Sequence, residues 1–238
     1  YSPGPLRLGV DWTLEADDGQ VLARGRLSER PVPQGAVTDF GPIQAELPLL
    51  AAACHASLTL ALAGEYGAPF SPGVNDYSLW LYPAASRAEL PEGVVLCRAY
   101  DRRAEQALAE GGTVLIISEG TAAALPRSRA VSFRPDFWSP MFHTNHSDGY
   151  SLGIFVEKNH PLFTYFPTDC FGDWQWFGPL QSARGLLINE FPRDLRPMVQ
   201  PIATLDLPER LAMLFEARVG PGRLFVSTID LLEKKGPA

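Results

Sequence analysis

The sequence predicts a chain of mixed class, with an all-β domain first and then an α/β domain built on a mainly parallel sheet. Three observations carry that expectation. Apolar and polar residues alternate with a period of two before residue 84, a strand–helix–strand pattern starts at Val94, and the Pro83-Ala84-Ala85-Ser86 stretch separates the two regimes. Residues 1–83 and 84–238 are therefore expected to fold as two domains of ordinary size.

Leu6, Leu8, Val10, Trp12 and Leu14 alternate with Arg7, Gly9, Asp11, Thr13 and Glu15, which is the pattern of a strand with one buried face. Asp17-Asp18-Gly19 supplies a turn, and Gln20 to Leu27 returns as the partner strand. Further strands are expected over Asp39 to Leu47, His55 to Ala63 and Asp76 to Tyr82, each bounded by Gly or Pro. Short strands at that spacing predict an immunoglobulin-like sandwich, with Leu58, Leu60 and Leu62 facing its core.

Beyond the linker, Val94 to Cys97 reads as a strand and Asp101 to Ala109 as a helix capped by Asp101. Gly111-Gly112 ends that helix before a second strand, Val114 to Ile117. A strand, helix and strand in this order imply parallel pairing through a right-handed crossover. Later strands are expected over Leu152 to Val156 and Met198 to Thr204, then a hairpin of Leu211 to Ala217 with Leu224 to Ile229 around Gly220-Pro221-Gly222. Long irregular insertions are expected between residues 118 and 185. The chain starts at Tyr1 without Met and reads as a piece of something longer.

A formal charge of −7 argues against nucleic acid, whose binding needs a clustered basic face. No apolar run approaches the roughly 18 residues that cross a bilayer. Cys54, Cys97 and Cys170 are far apart and lack CxxC spacing, so neither a disulfide framework nor a zinc site is expected. The compartment is left open.

The densest feature is His160 to Phe177, where seven aromatic residues fall within eighteen positions broken by Pro161, Pro167 and Gly172. Neither helical nor strand periodicity runs through it, which predicts a folded loop ending in a helical turn near Asp173 to Phe177. Two roles suit such a loop. It could bury its own apolar side chains as a small core. Alternatively, Trp174 or Trp176 could offer a flat face to a sugar ring while Asp173 and Gln175 bond its hydroxyls. A second aromatic loop, Phe133 to Phe142, contributes Trp138 to the same candidate platform if both loops leave one end of the sheet.

Catalytic motifs are weak by comparison. Asn189-Glu190 looks like an acid/base pair of retaining glycosidases, but no barrel pattern surrounds it, and a loop carboxylate is the default. Ser118-Glu119-Gly120 follows a strand, yet Ile116 stands where a nucleophile elbow needs glycine. His143, His146 and His160 with Asp148 and Asp173 could in principle hold a metal, although loop histidines are more often hydrogen-bonded to backbone. No phosphate-cradling glycine motif is present. Neither a metal nor a cofactor is expected.

Taken in order, these segments resemble the C-terminal accessory region of bacterial glycoside hydrolase family 2 enzymes, the β-galactosidase-like group. The resemblance rests on the Trp12 strand with its Asp-Gly turn and the closing strand Asn75 to Pro83. It continues through the run Ala107 to Ile117, FRPDFWSP at 133–140, HPLF at 160–163, FPT at 166–168, DWQWF at 173–177, RPMVQPI at 196–202, and Leu211 to Leu231. The second domain is similar in outline to the glutamine-amidotransferase-like α/β fold without its nucleophile. The resemblance implies a parent enzyme cleaving β-linked sugars, with a jelly roll and a catalytic barrel upstream. That barrel carries the family's catalytic glutamates, so no residue here is expected to be catalytic. The expected partners are those upstream domains, an oligosaccharide held by Trp138, Asp173, Trp174, Gln175 and Trp176, and a second copy of the chain. The competing expectation is a purely structural or oligomerisation module whose aromatic residues are buried.

Overall fold

The computed structural model describes residues 6–64, 73–84, 89–133, 151–181, 183–204 and 208–232. The chain divides into two units, Tyr1–Ser86 and Arg87–Ala238. Each is built differently.

In the first unit, the alternating strand β1 (Leu6–Ala16) pairs antiparallel with β2 (Val21–Val32). Gly19 makes the turn between them at φ 84°, a conformation that side chains rarely tolerate. Next, β3 (Cys54–Gly64) takes the other side of β1, and β4 (Val74–Leu81) closes the order β2-β1-β3-β4, all antiparallel. Leu8, Val10, Trp12, Leu14 and Ala16 are buried while Asp11 and Glu15 are exposed, so the period of two does set the apolar face. Trp12 reaches across β2 because Gly25 leaves room: a Cβ there would lie 2.7 Å from the indole ring.

One expectation fails in this unit. No strand forms over Asp39 to Leu47; residues 33–53 run in irregular backbone. Pro42 within the span and Pro48 just beyond it remove ladder donors, and Gly41 turns the backbone at φ 88°. The described strands of the unit lie in one four-stranded sheet.

In the second unit, β5 (Val94–Cys97), α1 (Arg102–Ala109) and β6 (Thr113–Ile117) form the expected crossover, with β5 and β6 parallel. The Asp101 carboxylate accepts from Ala104 N at 2.9 Å and caps the helix. Ala104 and Leu108 then pack on Cys97, Val114, Ile116 and Leu224. Beyond β6 come β7 (Ser128–Ala130), β8 (Ile154–Val156), β9 (Arg184–Leu187), β10 (Val199–Pro201), β11 (Leu211–Ala212), β12 (Leu214–Val219) and β13 (Gly222–Ser227). Six strands form a sheet in the order β5-β6-β13-β12-β10-β8, and three form another in the order β11-β9-β7.

The larger sheet is mixed, not mainly parallel. Only β5 with β6 and β6 with β13 run parallel; β13 to β12, β12 to β10 and β10 to β8 are antiparallel. The tight turn at Gly220-Pro221 decides this for β12 and β13, since a parallel pair needs a long crossover. The expected strand Leu211 to Ala217 also divides at the fully buried Met213, whose two sides enter different sheets. Part of the region expected to be irregular supplies β7 and β9. Under the aromatic loop lies the main core, with Val156, Val199, Met198, Met213 and Ile229. Among the described residues no helix is long and apolar enough to cross a membrane.

Candidate functional site

The aromatic loop is assembled from two capped turns. His160 Nδ1 accepts from Leu162 N at 3.2 Å and opens a single 3-10 turn, Pro161–Thr164, which drives Phe163 into the core. Asp173 Oδ1 accepts from Gln175 N at 3.3 Å and opens a second turn, Trp174–Trp176, continued by the short α2 (Phe177–Leu180). Gln175 donates its side-chain amide to Pro167 O at 3.1 Å, tying the second turn to the first half of the loop.

The two tryptophans part company. Trp176 is 2% exposed, sits edge-on to Phe166 at 5.2 Å and Phe163 at 6.4 Å, and donates its indole N–H to Thr168 Oγ1 at 2.8 Å. Its polar handle is spent inside and its face is covered, so it cannot stack on a sugar as it stands. Trp174 is 72% exposed and rests against Phe133 at 5.5 Å and Phe177 at 6.3 Å. Phe133 meets Phe177 edge-on at 5.4 Å, so the three rings form one cluster with two of them behind Trp174. Of the residues expected to contact sugar, Trp174 is the open aromatic, Trp176 is core, and Asp173 and Gln175 bond the turn that presents Trp174. Trp138 lies outside the described residues, as do His143, His146 and Asp148. His160 turns its Nε2 toward Glu216, 3.8 Å away.

The carboxyl ends of parallel strands are where an α/β sheet collects ligands. Here an ion pair lies at that end: Arg98 Nη1 is 2.7 Å from Asp230 Oδ1, and the same nitrogen donates to Ile117 O. The Asp230 side chain is 4% exposed and that of Arg98 39%. Ser118 and Ser227 hydroxyls bond the backbone carbonyls of Glu119 and Ile229. At the end of β5, burial raises the Cys97 thiol, and the neighbouring Asp101 carboxylate adds to the rise. A thiol held protonated is a poor nucleophile. Glu190 accepts both guanidinium nitrogens of Arg127, at 2.8 and 2.6 Å, and that hydrogen bonding holds its carboxyl below the usual range. Both side chains are mostly exposed, so the pair is a surface clamp.

Sequence reasoning missed one constellation, in the first unit. His55 at the start of β3 has Nδ1 2.6 Å from Asp17 Oδ1 and Nε2 2.5 Å from Ser78 Oγ. No local motif announces it, because Asp17 lies in a turn and the other two lie on separate strands. The signal available was register: Trp80 pairs with His55, which brings Ser78 diagonally beside it.

Two family models match the chain. One, described as Domain of unknown function (DUF8487), covers residues 95–238. The other, Domain of unknown function (DUF8488), covers residues 1–83. No curated protein matches.

Proposed function

The chain belongs to the family described as Domain of unknown function (DUF8487), and from its aromatic loop and strand order we propose that it is an accessory region, without glycosidase catalysis of its own, of a β-galactosidase-like family 2 glycoside hydrolase. In this reading it braces the parent's barrel and offers Trp174 to carbohydrate. One observation carries the sugar-binding part: a tryptophan exposed at 72% yet backed by two other rings and set on a capped turn. An aromatic face in water favours the apolar face of a sugar ring, and a fixed support lowers the entropy lost on binding. For the finer folds, the antiparallel order and one-sided apolar face of the first unit support an immunoglobulin-like module. The β5-α1-β6 crossover supports a glutamine-amidotransferase-like outline for the second.

Titration with β-galactosides and plant-wall oligosaccharides tests this, followed by tryptophan fluorescence and heat. Saturable binding that Trp174→Ala removes, with the fold intact, is the expected result. No response to any of them overturns the sugar-binding part.

A purely structural role is the second reading. It is favoured by an apolar cleft of about 330 Å³ on the face of the larger sheet opposite α1, lined by Leu115, Ile117, Leu162, Phe225 and Leu231 with Trp176 at its wall. Parallel strands are normally covered on both faces.

A further inference from the structure

The geometry points to a second centre, independent of Trp174 and of the parent's sugar chemistry: an acyl-transfer site on the first unit's sheet, where Ser78 is the nucleophile, His55 the base and Asp17 the positioning residue, acting on neutral carboxylic esters. Three features build it. The Asp17 carboxylate can only accept, so at 2.6 Å it fixes the His55 proton on Nδ1 and leaves Nε2 as the acceptor for the Ser78 hydroxyl at 2.5 Å. The Trp80 ring lies 4.9 Å from the imidazole and tilted by 59°, which limits how the imidazole swings.

The third feature is the position of Ser78 on the sheet. Leu62 N donates to Gly73 O, so this is a hydrogen-bonded position of the β3–β4 ladder; Ser57 and Ser78, five residues along, fall at a non-hydrogen-bonded one. The Ser78 N–H therefore points away from β3, off the last strand in the sheet order. It is placed as a donor for the oxygen of a carbonyl attacked by its own side chain. Glu15 and Asp76 share this face by register, and their charge disfavours anionic esters.

The chemistry balances without any further reagent. Ser78 Oγ bonds to the ester carbonyl carbon while its proton passes to His55 Nε2. The carbon–oxygen bond to the alcohol then breaks, and the proton goes from Nε2 to the departing alkoxide, leaving acyl-Ser78. Water adds to that acyl group, giving its proton to Nε2; the carboxylic acid leaves and Ser78 recovers its proton.

The test uses the full chain with p-nitrophenyl acetate and, separately, a fluorophosphonate probe, with the modified residue found by peptide mass mapping. Expected are acetyl and phosphonyl groups on Ser78 and at least a hundredfold drop in turnover for Ser78→Ala and His55→Gln. Asp17→Asn should lower turnover per Ser78 site titrated by the fluorophosphonate probe, whereas a loss of folding would remove sites and turnover together. Ser78 is exposed, so Ser78→Ala is expected to fold, and the probe on the wild-type chain decides the matter without any variant. An unmodified Ser78, acylation confined to other residues such as the exposed Cys170, or equal rates in wild type and Ser78→Ala would each overturn the assignment.

Discussion

Trp174 and Trp176 stand two positions apart and meet opposite fates. In a 3-10 turn successive residues rotate by about 120°, so positions i and i+2 face different sides. The sequence made both candidates for stacking, because which side of such a turn meets the core depends on what the distant β8, β10 and β13 strands put beneath it. Trp176→Ala should cost about 3–5 kcal/mol in denaturant unfolding, the usual loss for a deleted core aromatic. Trp174→Ala should cost about 1 kcal/mol or less, the scale of an aromatic pair contact. Cys97 is the other residue whose environment sets its behaviour. Its buried, raised thiol should resist iodoacetamide at pH 8 in the folded chain, while the exposed Cys170 reacts; equal rates would contradict the packing around α1.

Among elements, those whose cause is local were legible. The β1–β2 hairpin was written in alternation and Asp-Gly, the β5-α1-β6 crossover in an apolar run, an Asp cap and a Gly-Gly stop. Strands β7 and β9 were not legible, being three and four residues long and carrying Arg129 and Arg184 where a pattern would need apolar residues. They exist because partners hold them: Arg129 reaches Glu209 at 2.6 and 2.7 Å, and Arg184 reaches Ser128 Oγ. Two substitutions test the elements. Asp101→Ala should cost about 1 kcal/mol through loss of the cap. Gly25→Ala should cost about 1–3 kcal/mol by pushing Trp12 off its place on β2, readable as a lower unfolding midpoint with altered near-ultraviolet dichroism.

At the scale of the whole molecule, the candidate site was legible as a place and not as a set of roles. Seven aromatic residues in one loop announced it, but which rings stay open, as Trp174, Tyr165 and Phe171 do, and which enter the core, as Phe163 and Trp176 do, needed the tertiary fold. At the strand ends, Arg98→Met, which takes the cation from the buried Asp230 carboxylate while Leu232 N still donates to it, should destabilise by about 2–3 kcal/mol, less than a fully enclosed pair because Arg98 is 39% exposed. A net charge of −7 and an exposed Trp174 suit the proposed neutral, ring-shaped ligand better than a polyanion. The most direct measurement is calorimetric titration of the chain and of its Trp174→Ala variant with a series of β-linked oligosaccharides. Binding by the first and none by the second, at equal stability, is the predicted result; indifference of both to every sugar, or undiminished binding by the variant, would contradict it.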